Sequence, residues 1–418
     1  MGQQLLYIIT GILVFDFILE RVLEYLNARH FSPKLPDALK DIYDPEKYRN
    51  SQLYFRDNQR FGLLTSTISF IAILLMLYLS GFAYLDSFVR EITTNPVLMA
   101  LLFFGILGLA SDILSLPFQL YDTFVIEEKY GFNKTTPKTF ITDKLKGYLL
   151  AAIIGGGLLA LMTWVYQLTG QWFGLIVWWI LILFTLFMTM FYASVIVPLF
   201  NKLTPLKEGE LRSEIERFAE NAGFDLKNIY LMDGSKRSTK ANAFFSGLGK
   251  KKKIVLFDTL VNDHSAEEVV AVLAHEIGHY QKKHTKINFA MAIVQITIMI
   301  SILSFFLNPE TLWPTFLANA LGAKNASFHL GILAFGMLYA PLSLIIGIIS
   351  NVISRKFEYQ ADRFAAENYS AQPLQNALKK MSVNHLSNLQ PHPAYVFVHY
   401  SHPPLLKRLH AMDDYTEN

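Results

Sequence analysis

Seven apolar runs, each about long enough to cross a bilayer, constrain this chain more than any other feature. They lie near residues 5–23, 61–85, 96–121, 147–168, 172–200, 287–307 and 329–350. At about 1.5 Å of rise per residue, roughly 20 apolar residues cover the hydrocarbon core. Lipid offers the backbone no hydrogen-bond partners, so each run is expected to be a helix. Composition agrees: 52% of the residues are hydrophobic and 17% charged, where soluble domains average about 25% charged. The first run has no basic leader and no small-residue cleavage site, so it reads as a retained helix. The 172–200 run exceeds what a bilayer needs and should tilt or project from it.

Loop charge orients the spans. The first loop carries Arg29, Lys34, Lys40, Lys47, Arg49, Arg56 and Arg60, and the third carries Lys129, Lys134, Lys138, Lys144 and Lys146. The fifth, residues 201–286, is the most basic, whereas the second has Arg90, the fourth no basic residue and the sixth Lys324. Basic loops stay in the cytoplasm, which places the N-terminus outside and the fifth loop and C-terminus inside. A net charge of +3 gives no reason to expect a nucleic-acid partner. The absence of cysteine excludes disulfides and thiolate ligands, leaving His, Asp and Glu for any metal. Together with short loops and a short tail, it points to a bacterial inner membrane in preference to endoplasmic reticulum.

The fifth loop holds His275-Glu276-Ile277-Gly278-His279, the zinc-peptidase spacing. Four residues apart on a helix, His275 and His279 share a face and can reach one ion. Glu276 lies about 100° round the helix, close enough to touch an activated water without being a ligand. Ser265 and Glu268 form a capping box at the helix start.

A third ligand must come from elsewhere. Six residues after His279 stands Thr285, where a metzincin-type site would have histidine. His284 is one residue short, about 140° round a continuous helix, and reads as a solvated residue after Lys282 and Lys283. Glu358 is the best candidate, because ISRKFEYQADRFAAE continues the last apolar run as a helix. Asp362 shares its face and can hold the outer nitrogen of a zinc-bound histidine. Glu310 and Glu367 are rivals without such an acidic partner four residues on.

The rest of the fifth loop reads as a small α+β domain. LKEGELRSEIERFAENAGF is an amphipathic helix ending near Gly223, and NIYLMDGS, ANAFFSG and KIVLFDTLV are short strands. The run Lys250–Lys253 suits a turn facing acidic lipid headgroups. A strand beside a zinc helix can pair with an extended peptide, and Asn242, Ala243 and Phe244 are the expected edge.

These stretches together resemble the type I CAAX prenyl endopeptidases, integral-membrane zinc metalloproteases of the gluzincin kind. The likeness is carried by LPFQLYDTFVIEEKYGFNKTT, PLFNKLTPL, NAFFSG, VLAHEIGH, SRKFEYQADRFA and HYSHPPLLKRL, spread over nearly the whole chain. It implies a mainly α multi-pass protein with seven transmembrane helices enclosing a water-filled chamber, plus a small α+β zinc metalloprotease domain. It also implies that His402 and Arg408 steady the reacting carbonyl. The expected units are residues 1–200 with five spans, 201–286 with the zinc helix, 287–350 with two spans, and 351–418 completing the site.

The expected activity is hydrolysis of peptide bonds near the C-terminus of prenylated CAAX-type or other membrane-associated proteins, with one Zn²⁺. Its site comprises His275, His279 and Glu358 as ligands and Glu276 as general base, with Asp362 behind one of the two histidines. The partners expected are a peptide or protein substrate, with or without an isoprenyl group, and membrane lipid. Two other classes fit parts of the pattern. A quality-control protease of the heat-shock type shares the metal motif but has fewer spans. A metal-binding transporter suits charges within spans, such as Asp16, Glu20 and Asp112, but gives Glu276 no role.

Overall fold

The computed structural model describes residues 1–32, 35–40, 43–224, 228–247 and 253–416. Its membrane half is helical throughout. α1 (Gly2–Arg29), α2 (Pro45–Tyr78), α3 (Gly81–Ile92) and α4 (Pro96–Tyr121) come first. α5 (Pro137–Leu150), α6 (Gly157–Thr169), α7 (Phe173–Val195) and α8 (Val197–Phe200) then follow almost end to end. Asn95 caps α4 and Thr136 caps α5, each followed by proline in the first turn, where a missing N–H costs nothing. Gly170, at φ +49°, parts α6 from α7.

The α+β domain is built on a four-stranded sheet in the order β1-β2-β4-β3. β1 (Leu203–Pro205), β2 (Ile229–Met232), β3 (Ala243–Ser246) and β4 (Lys253–Phe257) are short. β2 and β4 run parallel, and β3 pairs antiparallel with β4 in the register Ala243↔Leu256, leaving β3 at the edge. α9 (Glu210–Asn221) precedes β2, and Gly223 at φ +65° follows its end. The strand reading of KIVLFDTLV holds for its first half only, since Asp258 begins α10 (Asp258–Asp263). Most of the lysine run lies outside the described residues; Lys253 sits over the Tyr230 ring.

α11 (Ala266–Gln281) is the signature helix, and the capping box of Ser265 and Glu268 is present in both directions. α12 (His284–Leu307), α13 (Trp313–Ala320) and α14 (Phe328–Asn368) follow, then α15 (Ala371–Asn384), α16 (Pro393–His399) and α17 (Leu405–Thr416).

Five helical stretches among the described residues are long and apolar enough to cross a membrane: Pro45–Tyr78, Pro96–Glu127, Pro137–Phe200, His284–Leu307 and Phe328–Asn368. The expected seven are not reached on this measure. α1 is helical but carries Asp16, Glu20, Arg21 and Glu24 in its second half, and the fourth and fifth runs fall in the single stretch Pro137–Phe200.

Among the described residues two large cores, with a small third around Ala193, Val197, Met232 and Val255, hold the molecule together. One lies under the sheet and α11, around Ile215, Ile254, Leu256, Leu260, Leu273 and Ile277. The other gathers the far ends of the spans, around Ile9, Phe103, Val177, Leu307, Leu317 and Leu330. Between them the spans bury little. α4 buries nothing beyond Phe103, α12 nothing between His284 and Ile300, and α14 nothing between Met337 and Phe357. Two charged groups inside this zone have partners: Asp112 accepts from Lys144 Nζ at 2.6 and 2.7 Å and from the Tyr148 hydroxyl. Glu20 faces His399 at 3.3 Å.

Candidate metal centre

α11 and α14 cross where both have small residues. A β-carbon added to Gly278 would lie 3.1 Å from Ala361 Cα, so only glycine lets the helices approach this closely. That crossing brings Glu358 to the two histidines. His275 Nε2 and His279 Nε2 are 3.1 Å apart, with the Glu358 carboxylate oxygens 3.4 and 3.3 Å from them. Bonds of about 2.05 Å to a tetrahedral ion would place its ligand atoms about 3.3–3.4 Å apart, so the three groups fit one metal. Glu358 Oε2 is buried with no hydrogen-bond partner, as expected of an oxygen aimed at an ion. The rivals are elsewhere. Glu310 sits in the turn after α12, and Glu367 pairs with Arg363 at 2.7 Å.

Asp362 lies behind this triad, fully buried, with Oδ1 2.9 Å from His275 Nδ1. Its two oxygens also accept from Arg408 Nε and Nη2, at 2.8 and 2.6 Å. Burial would disfavour the charged form of His275, but the Asp362 and Glu358 carboxylates outweigh it and push the ring up to about 10. A divalent ion held here would compete with a proton for the same ring nitrogen. Burial likewise disfavours the Arg408 cation, yet Asp362 and Glu358 raise its affinity for its proton further.

Glu276 points into a cleft of about 150 Å³ that Asn242, Ala243, His275, Glu358, His402 and Arg408 also line. Enclosure raises its carboxyl above the ordinary value, although the neighbouring histidines pull the other way. His402 Nε2 stands 3.4 Å from Glu358 Oε1, and Arg408 Nη1 stands 3.7 Å from Oε2, with Asp362 taking the other two nitrogens of its fork. Phe244 is not among the lining residues. Its ring packs against Phe257 at the end of β4.

Several members of the site were not anticipated. One stripe of α14 organises it: Asn351, Arg355, Glu358 and Asp362 recur at intervals of three and four. Asn351 Nδ2 donates to Val398 O at 2.7 Å, and Arg355 Nη1 donates to Val396 O at 3.0 Å and to Tyr400 O. These bonds fasten the end of α16 and so bring His402 alongside Glu358. His385 Nε2 accepts from the Ala241 N–H at 3.0 Å and fixes the approach to the β3 edge. Val272 and the α15 residues Leu374, Leu378 and Met381 form an apolar wall of the cleft, a spacing of four and three that was readable as a helix stripe. His284 is the clearest correction. It is not solvated but 2% exposed, and its Nδ1 faces His279 Nδ1 at 2.9 Å.

Comparison with known proteins covers nearly the whole chain. Residues 24–202 match the CAAX prenyl protease N-terminal family, described as five membrane helices, and residues 205–416 match peptidase family M48. CAAX prenyl protease 1 of Saccharomyces cerevisiae is 35% identical, over 98% of this chain and 95% of its own. The Arabidopsis thaliana CAAX prenyl protease 1 homolog is also 35% identical, over 97% of this chain and 96% of its own. The crystal structure of S. mikatae Ste24p superposes with a TM-score of 0.91 at 34% identity, over 98% of this chain and 99% of that one. These relatives are eukaryotic, so the expectation of a bacterial membrane finds no support; lack of cysteine and short loops carry no record of lineage. Matched from end to end by sequence and by fold, the chain belongs to peptidase family M48 as a membrane metallopeptidase of the CAAX prenyl protease type.

Proposed function

We propose that this protein is a zinc endopeptidase that cuts near the C-terminus of CAAX-type proteins, prenylated ones included. The observation that carries the reading is the meeting of His275, His279 and Glu358 at 3.1–3.4 Å, beside a cleft that Glu276 lines. Two imidazoles and a carboxylate form a donor set typical of catalytic zinc. Zinc held there would lower the pKa of a water and polarise the scissile carbonyl.

The remaining work falls to the chain's own residues. Glu276, with its raised carboxyl, takes the proton of the attacking water and returns it to the leaving amine. His402 and Nη1 of Arg408, the one nitrogen of its fork not bonded to Asp362, are placed to donate to the oxyanion that develops on the carbonyl. Asn242 and Ala243, at the sheet edge, hold the peptide backbone extended beside the metal. The wall of Val272, Leu374, Leu378 and Met381 accepts an aliphatic side chain. The substrate class is taken from the names of the relatives, each a CAAX prenyl protease 1 or its homologue.

In this reading seven helices cross the membrane, adding α1 and dividing the Pro137–Phe200 stretch at Gly170. The sparse burial between the two cores is what an enclosed, hydrated chamber requires, and paired charges such as Asp112 and Lys144 suit its wall. Loop charge puts the metal site and C-terminus in the cytoplasm and the N-terminus outside.

Hydrolysis of a farnesylated and an unmodified peptide of one sequence, by protein purified in detergent, tests the reading. Glu276→Gln should keep its zinc, measured by elemental analysis, and lose turnover by roughly 10²–10⁴-fold. Normal cleavage by that variant would remove the mechanism. Equal cutting of both peptides would remove prenyl dependence.

A further inference from the structure

α11 does not run into α12 without interruption. Lys283 takes φ +62° between them, and His284 opens the next helix. A residue with a side chain in the left-handed region costs on the order of 1 kcal/mol, so something must hold it there. The break turns residue 284 back onto the last turn of α11. The His284 ring stacks on Phe357 with centroids 4.0 Å apart and planes at 10°. Its Nδ1 meets His279 Nδ1 at 2.9 Å, and its Nε2 lies 2.8 Å from Gln360 Oε1.

We propose that His284, backed by Gln360, is the positioning residue of His279, doing with a neutral ring what Asp362 does for His275 with a carboxylate. The inference rests on the reading of His279 as a metal ligand through Nε2. With that lone pair committed, the His279 proton sits on Nδ1 and is donated to His284 Nδ1. His284 then carries its own proton on Nε2, and Gln360 Oε1 accepts it. Each nitrogen in the relay has one role, so the tautomer and ring angle of His279 are both fixed. Around His275, Glu358 and Asp362 already bring two negative charges, and Arg408 one positive, besides the general base Glu276. A neutral acceptor at His279 orients the ligand without adding a further negative charge.

The test is zinc affinity of the full-length protein in detergent, by competition with a chromogenic chelator, together with the visible spectrum of the cobalt-substituted protein. His284→Phe keeps an aromatic ring over Phe357 and removes the acceptor. Gln360→Leu, at an exposed position, removes only the end of the relay. Both should weaken zinc binding 10–100-fold and shift the cobalt bands, while Gln360→Glu, which keeps an acceptor, stays near wild type. The melting temperature of the metal-free protein should move little in Gln360→Leu, which separates positioning from packing. Wild-type affinity and an unchanged cobalt spectrum in Gln360→Leu would overturn the relay even if His284→Phe failed to fold. His279→Ala separates the two readings. Full zinc retention there would sink the ligand assignment itself, whereas zinc lost there but kept by both relay variants would sink the relay alone.

Discussion

Gly278 of the signature helix rests against Ala361 of the long last-span helix, so closely that a β-carbon would lie 3.1 Å from the Ala361 Cα and 3.2 Å from its carbonyl oxygen. In a zinc-peptidase signature this position is free of any metal role. Here it sets the distance at which Glu358 meets His275 and His279.

Gly278→Ala should therefore damage the metal site without touching a ligand. The new methyl group meets backbone, which cannot swing aside, so α14 must shift by a few tenths of an ångström. Overpacking of this kind typically costs about 1–3 kcal/mol. Reduced zinc retention under chelator challenge, with a lower melting temperature, is the expected outcome. Unchanged retention would mean that α14 follows the displacement with Glu358 still in place.

Arg408 and Asp362 should behave as one unit. Arg408→Gln leaves a fully buried carboxylate short of its cation, a change worth roughly 3–5 kcal/mol, and frees Asp362 to turn from His275. Asp362→Asn should do comparable harm. The double variant should lose less than the sum, because neither charge is then stranded. Chemical denaturation of the four proteins in detergent measures the coupling, and strict additivity would contradict it.

His385 should give the peptidase half a defined sensitivity to acid. Burial first, then the charges of Lys240 and His264, hold its ring down from 6.5 to about 4, keeping it neutral to accept from Ala241. Because the folded pKa lies below the unfolded one, this contribution is complete above pH 6.5 and is lost as pH falls towards 4. The interval of about 2.5 units corresponds to roughly 3 kcal/mol. Thermal melts of wild type should show this fall between pH 7 and 4.5, and His385→Gln should flatten it. An equal acid dependence in both would show that other groups supply it.

Leu378→Ala should alter which peptides are cut. It opens the apolar wall of the cleft by about three carbons, and one methylene in such a pocket is worth about 1–3 kcal/mol of discrimination. Peptides with a small aliphatic side chain near the scissile bond should lose kcat/KM by tenfold or more, and bulkier aromatic ones should lose less or gain. A uniform change across a peptide series would place that wall outside the binding site.

Much of this site was legible because its signals are local. Helical spacing put His275 and His279 on one face, the capping box fixed where α11 begins, and Asp362 shares the Glu358 face by simple periodicity. Gly223 marked the end of α9 as expected. What sequence could not show is set by breaks and by distant partners. The angle assigned to His284 assumed one continuous helix, and a single left-handed residue at Lys283 reversed it. The pairing of Arg408 with Asp362 joins residues 46 apart, and that of Ala241 with His385 joins residues 144 apart. β1 escaped notice because three residues with a proline carry almost no strand pattern. The span count blurred for the opposite reason, since uninterrupted apolarity hides where one crossing ends.

α14 is a single helix from Phe328 to Asn368, and Glu358 stands eight residues past Ser350, where the apolar run ends. Eight residues amount to about 12 Å along the axis. In the proposed membrane arrangement, a rigid post of that length would keep the reaction centre at constant height relative to the lipid. For any protein tethered to the bilayer, the bond that can be cut is then chosen by how far it lies from its anchor, as on a measuring rule.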